Sequence, residues 1–354
     1  MSINFKSLTP TQENCWRASI LIGENDKCYK FALGKALLKF AEKKVSEVYL
    51  SDLIKVYAKE ICNHLKISNF QGSSRKPKGK VITACEKFNN NEIDEDEMIE
   101  NIKKDEWVVL KKFHLVKGQN LPYKFFEKGK KVRNSDLKIF LTDDLLSLSD
   151  NSQFTNLSFE IDGRWDLLSR SWELKKPYHT LMINYDLDNQ LLITYKKNKR
   201  VAITGARDGL NGYQKGQCFY CFNKISIKPK SADLSDVDHF FPLYLEKNNI
   251  LKNLNGIWNL VLACSDCNRG VNGKFDKLPK IKFLERLNIR NNYLISSHDP
   301  LRQILLAQTG ITQKNRFSFL NKNFNIAQQS LIHSNWEPKK IYQGQFLHEN
   351  VYFL

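Results

Sequence analysis

Four cysteines stand in two Cys-x-x-Cys pairs, Cys218 with Cys221 and Cys264 with Cys267. Two thiolates separated by two residues can bind one Zn²⁺ at about 2.3 Å, and two such pairs complete a tetrahedral site. The segment Met1–Ser7 lacks the apolar stretch of a secretory signal, so we expect a cytoplasmic protein with reduced thiols rather than disulfides. The spacing therefore predicts one structural zinc ion with four thiolate ligands.

The other cysteines, Cys15, Cys28, Cys62 and Cys85, are scattered and are predicted to be core residues. A zinc ion with four thiolate ligands has no open position for water or substrate, so its role is structural rather than catalytic. Groups that could do chemistry lie between and beside the paired cysteines. They are Asp238, His239, Asn259 and Asn268.

The order of these residues resembles the HNH, or ββα-metal, family of nucleases. In that family an Asp-His pair followed by Pro precedes an Asn-Leu ahead of the second cysteine pair, and a His or Asn follows the last cysteine. This chain has Asp238-His239 with Pro242, then Asn259-Leu260, then Asn268 directly after Cys267. The resemblance implies an α+β fold with a ββα-metal module over residues 206–280. Asn in place of His at the last position changes the metal ligand set.

The resemblance also implies a role for each residue. His239 is the expected general base, since an imidazole with a pKa near 6.5 suits deprotonation of water. Asn259 is expected to orient the imidazole through its other ring nitrogen. Asp238 and Asn268 are expected to hold a catalytic Mg²⁺ or Mn²⁺ ion, because such hard cations prefer carboxylate and amide oxygens.

Each of these residues has an alternative interpretation. His239, followed by Phe-Phe-Pro, could be an ordinary core residue. Asn259 could cap the turn before the strand that follows it, a common position for Asn. Asp236 would share a strand face with Asp238, either as a second carboxylate at the metal or as a hydrogen-bonded surface residue.

The charge of the chain favours a nucleic-acid partner. Lys and Arg number 55 against 38 Asp and Glu, which gives a net charge of +17, and a basic protein binds polyanions through counterion release. Arg269 and Lys274 follow the second cysteine pair and could contact phosphates, or could be a solvated basic face. Further candidate phosphate contacts lie in two separate basic clusters: Lys76, Lys78, Lys196 and Lys197. DNA is the favoured partner, and no apolar run approaches the 18 residues that a membrane-spanning helix needs.

Apolar spacing, together with the module that the family resemblance implies, divides the chain into four regions. They are a mainly helical domain over 1–140, a mixed helix and β-hairpin region over 141–205, the nuclease module over 206–280 and a helical region over 281–354. Apolar residues at three- and four-residue spacing predict helices over residues 14–22, 27–43, 51–66 and 156–173. Ser51 is the expected N-cap of the third helix. Residues 180–185 and 191–195 predict a β-hairpin, while the short runs 107–110 and 139–141 fit either strands or helix starts.

The expected function is a divalent-metal-dependent HNH endonuclease that hydrolyses phosphodiester bonds of DNA. The wider layout, with Glu13-Asn-Cys-Trp-Arg17 and Tyr29-Lys-Phe-Ala-Leu33, resembles bacterial HNH proteins of anti-phage defence or restriction. The sequence has no Gly-x-x-x-x-Gly-Lys-[Ser/Thr] motif, so an ATPase or sensor subunit would be a separate protein partner. The alternative is a catalytically inactive, zinc-containing sensor or adaptor that binds nucleic acid.

Overall fold

The chain contains both helices and small antiparallel sheets, and the predicted α+β class is confirmed. The computed structural model describes residues 11–22, 25–73, 78–103, 108–116, 118–130, 136–150, 154–173, 183–196, 199–296, 301–331 and 335–342. Contacts between residues divide the chain into two compact units, Met1–Lys175 and Lys176–Leu354. None of the described helices has both the length and the apolar composition needed to cross a bilayer.

The first unit is mainly helical in its described part. Its α-helices are Gln12–Arg17, Tyr29–Glu42, Leu50–Leu65, Lys80–Asn89, Glu95–Lys103, Val108–Lys112, Asp143–Leu146 and Phe154–Glu173, with a π-helical turn over Ala18–Ile22 and a 3₁₀ turn over Ser147–Asp150. The strands Glu47–Tyr49, Phe126–Lys128 and Lys138–Leu141 form one small sheet, and Leu115–Val116 pairs with Gln119–Asn120. The helices predicted from apolar spacing are all present to within a few residues. Of the two undecided runs, the first is a short helix and the second a strand.

Ser51 does not cap its helix as predicted. The helix begins at Leu50, with Tyr49 as the N-cap residue, and Ser51 lies in its first turn. The backbone N–H of Ser51 donates to Asp136 Oδ2 at 2.9 Å, and its hydroxyl donates to the same oxygen. Asp136, distant in sequence, thus takes the place of a local cap and puts a negative charge at the positive end of the helix.

The second unit contains the paired cysteines. Its three-stranded sheet consists of Asn184–Asp186, Leu191–Lys196 and Lys199–Gly205. The pairing of the first two strands confirms the predicted hairpin over its described part, while residues 180–182 of the predicted first strand lie outside the described residues. Its helices are Ala206–Gln214, Tyr244–Lys247, Ser265–Arg269, Ile281–Ser296, Arg302–Thr309 and Gln313–Ser330, with a 3₁₀ turn over Ile257–Asn259. The strands Asp236–His239 and Leu260–Ala263 pair antiparallel and are called the site hairpin below.

The helix Ile281–Ser296 packs against the site hairpin through polar side chains. Arg290, which is 2% exposed, donates to the Ile257 carbonyl at 3.1 Å and also to the Leu260 carbonyl. Burial lowers the pKa of Arg290 to about 9, so its guanidinium remains protonated at neutral pH. Arg286 of the same helix donates to two backbone carbonyls between the first pair of cysteines. This helix therefore supplies side-chain hydrogen-bond donors to backbone carbonyls in and next to the site hairpin and between the first pair of cysteines.

Candidate metal centre and active site

The two cysteine pairs form one buried cluster. Cys218, Cys221, Cys264 and Cys267 are all buried, and their sulfurs lie within 4.8 Å of one another. The sulfurs of Cys221 and Cys264 are 3.7 Å apart. That separation is far longer than a disulfide bond of about 2.05 Å. It is close to the edge of a tetrahedron whose metal–sulfur bonds are about 2.3 Å. The cluster could therefore hold a metal ion such as zinc.

Backbone hydrogen bonds fix the two pairs relative to each other. The Cys218 N–H donates to the Asn223 carbonyl at 2.8 Å, which closes the first pair into a tight turn. The Phe219 N–H donates to the carbonyl of Leu262, in the second strand of the site hairpin, at 2.9 Å. Cys264 follows directly after that strand, so one element positions both the second cysteine pair and the hairpin.

The thiols of this cluster depend strongly on one another for their ionisation. Burial raises the pKa of the Cys218 thiol well above its ordinary value. A hydrogen bond to Cys218 lowers the pKa of Cys264. Without a cation, some sulfurs keep their protons so that others can ionise. A bound divalent cation would stabilise four thiolates at once, and its binding would release protons.

The remaining cysteines lie in the first unit. Cys15, Cys28, Cys62 and Cys85 are all buried, as a core role predicts. The Cys62 sulfur lies 3.7 Å from the Cys85 carbonyl oxygen. These four are not part of the cluster of metal-ligand type found among the described residues.

Asn259 stabilises the backbone of the loop that joins the strands of the site hairpin. Its side chain, which is fully buried, donates through Nδ2 to the carbonyls of Phe241 and Leu254, both at 2.9 Å. Its Oδ1 accepts the Phe241 N–H at 2.7 Å. Both ends of the amide are thus bound to loop backbone, and no hydrogen bond among the described residues joins Asn259 to the His239 ring, in contrast to the role that the family resemblance implied. The alternative, a turn-stabilising Asn, is what the structure shows.

Asn255 is the residue that holds the His239 ring. Its Oδ1 lies 3.0 Å from His239 Nε2, which assigns the proton of a neutral imidazole to Nε2 and leaves Nδ1 as the acceptor. Among the described residues, none forms a hydrogen bond with Nδ1 of His239. Asn255 is not among the residues predicted from the sequence, although the turn-forming string Asn253-Leu-Asn-Gly256 in which it stands was an available signal.

The His239 imidazole is nearly buried. It is 7% exposed and its ring centroid lies 5.7 Å from that of Tyr185. Desolvation lowers the pKa of His239, against the charge of Asp238, which raises it. The imidazole is therefore neutral near pH 7, which is the form that can accept a proton.

Asp238 forms a buried ion pair with Lys274. The carboxylate Oδ1 accepts from Lys274 Nζ at 3.2 Å, and Oδ2 accepts from the Tyr220 hydroxyl at 2.6 Å. Lys274 Nζ also donates to the carbonyls of His239 at 2.8 Å and Phe275 at 3.3 Å. Its ammonium thus has an acceptor for each of its three protons.

The prediction that Lys274 contacts a phosphate is wrong. The Lys274 side chain is 0% exposed, so a phosphate cannot reach it without unfolding of the loop. A buried lysine needs a charged partner because desolvation of an unpaired ammonium is costly, and Asp238 is that partner. Lys274 is an internal cation of the site rather than part of a solvated basic face.

Asn268 forms a hydrogen bond with Asp236, and none of the described hydrogen bonds joins it to the predicted partner Asp238. Its Nδ2 donates to Asp236 Oδ2 at 3.1 Å. Arg269 donates to the same carboxylate, through Nε at 2.9 Å and Nη2 at 3.4 Å. The Arg269 side chain is 67% exposed, so it can leave Asp236 for a phosphate at small cost.

The expected divalent-ion site at Asp238 and Asn268 does not fit this geometry. Both carboxylate oxygens of Asp238 already accept hydrogen bonds, and Lys274 supplies the compensating charge. Mg²⁺ and Mn²⁺ require oxygen ligands. The other carboxylate of the site hairpin, Asp236, faces the exposed Arg269 guanidinium and the amide nitrogen of Asn268.

The other predicted phosphate contacts lie in the basic clusters. Lys78 is 54% exposed and pairs with Glu86, which leaves its ammonium accessible but partly neutralised. Lys76 and Lys197 lie outside the described residues. Lys196 ends the strand Leu191–Lys196, and only its backbone is described.

Comparison with models of protein families, with curated proteins and with solved structures found no match to this chain.

Proposed function

We propose that this protein is a metal-dependent endonuclease of the HNH type that hydrolyses phosphodiester bonds of DNA. The observation that carries the proposal is the state of His239. Its imidazole is neutral, is held at Nε2 by Asn255 and has no hydrogen-bond partner at Nδ1 among the described residues. These are the properties of a positioned general base.

In the proposed reaction, Nδ1 of His239 takes one proton from a water molecule. The water oxygen forms a bond to the phosphorus of a backbone phosphodiester, and the bond from phosphorus to the 3′ oxygen breaks. That oxygen leaves with the electron pair and gains a proton from solvent. The rate gain expected from a general base of this kind is about 10²- to 10⁴-fold.

A bound divalent ion, Mg²⁺ or Mn²⁺, would stabilise the charge that develops on the phosphate and the leaving oxygen. We assign its protein ligands to Asp236 and Asn268, whose side chains lie within hydrogen-bond distance of each other. The cation would replace the Arg269 guanidinium at Asp236, and the Asn268 amide would turn so that its oxygen takes the place of Nδ2. Arg269, released from Asp236, would then be free to bind the substrate phosphate. Asp238 has a different role, because with Lys274 it fixes the backbone at His239.

We further propose that the four cysteines bind zinc and that this zinc is structural. Four thiolates fill a tetrahedral coordination shell and leave no position for water. The second pair follows directly after the strand Leu260–Ala263, so the zinc would fix the hairpin on which His239 lies. The net charge of +17 supports a polyanionic substrate.

The test is nicking of supercoiled plasmid by the purified full chain in Mg²⁺, in Mn²⁺ and without added divalent ion. We expect nicking only with a divalent ion, and a loss of at least about 100-fold in His239→Ala. His298→Ala, a histidine outside the module, is the control and should match the parent. Full activity of His239→Ala would contradict the proposal.

One observation favours the second candidate function, a nucleic-acid-binding sensor or adaptor without catalysis. Both carboxylates of the site hairpin face a cationic side chain of the chain itself, Asp236 facing Arg269 and Asp238 facing Lys274. A protein of this kind would bind DNA in Mg²⁺ and Mn²⁺ without cutting it. Filter binding of the plasmid beside the nicking assay separates the two candidates.

A role in anti-phage defence or restriction, with an ATPase or sensor partner, is part of the same proposal. It is supported by the resemblance of the sequence layout to bacterial HNH proteins with such roles. Phage plating on cells with the parent gene and with His239→Ala tests it. Equal plaque counts on the two strains, with the genomic neighbours present, would contradict a catalytic role in defence.

A further inference from the structure

A cavity of about 330 Å³ lies in the second unit, against the four-cysteine cluster. One wall belongs to the second cysteine pair and the residues after it. The opposite wall is the segment of residues 335–342, called here the C-terminal arm. A cavity of this volume lies at the lower end of the range for small-ligand sites, so it suits one residue of a polymer rather than a folded partner.

The C-terminal arm is anchored at both ends of the cavity. The Trp336 indole N–H donates to the Asn272 carbonyl at 2.8 Å, and the Trp336 backbone N–H donates to the Leu278 carbonyl at 2.9 Å. At the other end, the Tyr342 N–H donates to the Cys221 carbonyl at 2.8 Å. The cavity is therefore walled by fixed backbone on both sides.

The cavity presents an aromatic ring, two cations and two free amides. Tyr342 is 40% exposed, and Lys340 Nζ lies 4.6 Å from its ring centroid. Among the described residues, no carboxylate pairs with Lys340 or with its neighbour Lys339, which also lines the cavity. The side-chain amides of Asn223 and Asn272 likewise have no hydrogen-bond partner in the described part of the chain.

The acidic and the basic groups that line the cavity belong to different segments of the chain. The four cysteines, once they hold a divalent ion, carry a net charge of −2, and Asp266 lines the same wall. Lys339 and Lys340 belong to the C-terminal arm. A ligand that fits must therefore turn a neutral part toward the cysteines and an anionic part toward the lysines.

We propose that this cavity binds one unpaired nucleotide of a nucleic-acid strand. The base stacks on Tyr342, its polar edge meets the amides of Asn223 and Asn272, and the adjoining phosphates meet Lys339 and Lys340. Stacking on an aromatic side chain requires a base that is not already stacked and paired in a duplex. This proposal rests on the proposed function for one point, that the ligand is a nucleic acid. It adds that the strand is locally single-stranded where it enters the cavity.

The test measures binding in the His239→Ala background, so that cleavage cannot alter the ligand. Fluorescence anisotropy with zinc-loaded full-length protein compares three labelled probes, a short deoxythymidine oligonucleotide, an abasic strand of the same length and a duplex. We expect the oligonucleotide to bind more tightly than the abasic strand. Tyr342→Ala should weaken oligonucleotide binding roughly ten-fold, as loss of one stacked base does, and leave abasic binding unchanged.

Two further variants define the chemistry of the cavity. Tyr342→Phe keeps the ring and should bind like the parent. Changing Lys339 and Lys340 together to Gln should weaken binding of both single strands and reduce the slope of affinity against salt, because phosphate contacts are lost. Zinc content measured on each variant shows that the cysteine cluster is intact.

The matched control is Tyr49→Ala in the first unit. Tyr49 is 48% exposed and has Lys138 at 5.7 Å from its ring centroid, the same pair of residue types as at the cavity. Its removal should leave binding unchanged. The proposal is overturned if Tyr342→Ala binds the oligonucleotide like the parent, if Tyr49→Ala loses as much, or if an oligoglutamate peptide competes as well as the oligonucleotide. Binding that follows the expected pattern in a protein that never cuts DNA would overturn the proposed function alone.

Discussion

The ammonium of Lys274 lies 3.2 Å from a carboxylate oxygen of Asp238, and the two side chains are only 0% and 7% exposed. A buried ion pair adds little net stability, but removal of one partner leaves an uncompensated charge in a medium of low polarity. The pair also holds the carbonyl of His239. The position of the candidate base is thus tied to a cation that solvent does not reach.

Lys274→Met should therefore destabilise the second unit by about 3–5 kcal/mol, since it leaves the Asp238 carboxylate buried and unpaired. The double variant Lys274→Met with Asp238→Asn should recover part of that loss. Lys277→Met is the control from the same loop, because Lys277 donates to a backbone carbonyl and pairs with no carboxylate in the described part of the chain. Thermal unfolding followed by circular dichroism measures all three. Equal midpoints for Lys274→Met and Lys277→Met would contradict the buried pair.

Zinc removal gives a second prediction. The purified protein should contain one zinc ion, and Cys264→Ser should lose it and unfold at lower temperature, because metal binding and folding are coupled. Cys62→Ser, a buried cysteine outside the cluster, should keep its zinc. Elemental analysis with a thermal melt checks both variants. Release of zinc to a chelator should accelerate as pH falls, since protons compete for the thiolates.

The assignment of the divalent-ion ligands gives a third prediction. Asp236→Ala should raise the Mg²⁺ concentration for half-maximal nicking by about ten-fold or more, by analogy with the effect of altered metal surroundings. Arg269→Gln should lower that concentration, because it frees the Asp236 carboxylate. Asp238→Asn should chiefly lower the melting temperature. Electron paramagnetic resonance can measure Mn²⁺ binding without catalysis, and the affinities of the variants should follow the same order. If Asp238→Asn weakens Mn²⁺ binding more than Asp236→Ala does, the ligands are Asp238 and Asn268, as the family resemblance implied.

Asn255 and Asn259 should differ sharply when each is changed to Ala. Asn259→Ala leaves three buried backbone groups without partners and should cost several kcal/mol, at about 1–3 kcal/mol for each group. Asn255→Ala removes only the contact to the His239 ring and should lower the nicking rate while the melting temperature stays near that of the parent. A rate loss confined to Asn259→Ala would show that the His239 ring needs no partner at Nε2.

His114 in the first unit gives a prediction on pH. Its Nε2 accepts the Phe125 N–H at 2.9 Å and so must be unprotonated, and burial lowers the pKa of His114 to about 4. The unfolded chain, with an ordinary pKa near 6.5, takes up this proton at higher pH than the folded chain. Stability should therefore fall as pH drops from about 6.5 to 4, by up to about 3 kcal/mol. His114→Gln should flatten this dependence in thermal melts, and an unchanged slope would contradict it.

Short sequence patterns predicted those parts of the fold that are determined by residues close together in the sequence. The helix Tyr29–Glu42 follows from apolar spacing, and the four-cysteine cluster follows from two Cys-x-x-Cys pairs. The partners of polar side chains were not predictable in the same way. Lys274 and Asp238 are 36 residues apart, and nothing in a basic loop sequence distinguishes a buried lysine from an exposed one.

The contact of Arg290 with the site hairpin sets a limit on how this module can be moved between proteins. A fragment cut at residue 280 would lose the donor that serves the carbonyls of Ile257 and Leu260. A fusion or transplant of residues 206–280 would expose those carbonyls to solvent and loosen the strand that carries the second cysteine pair. A fragment that keeps these hydrogen bonds has to extend at least to the end of the helix at Ser296. The site hairpin and this helix therefore form one structural unit that would have to be transferred together.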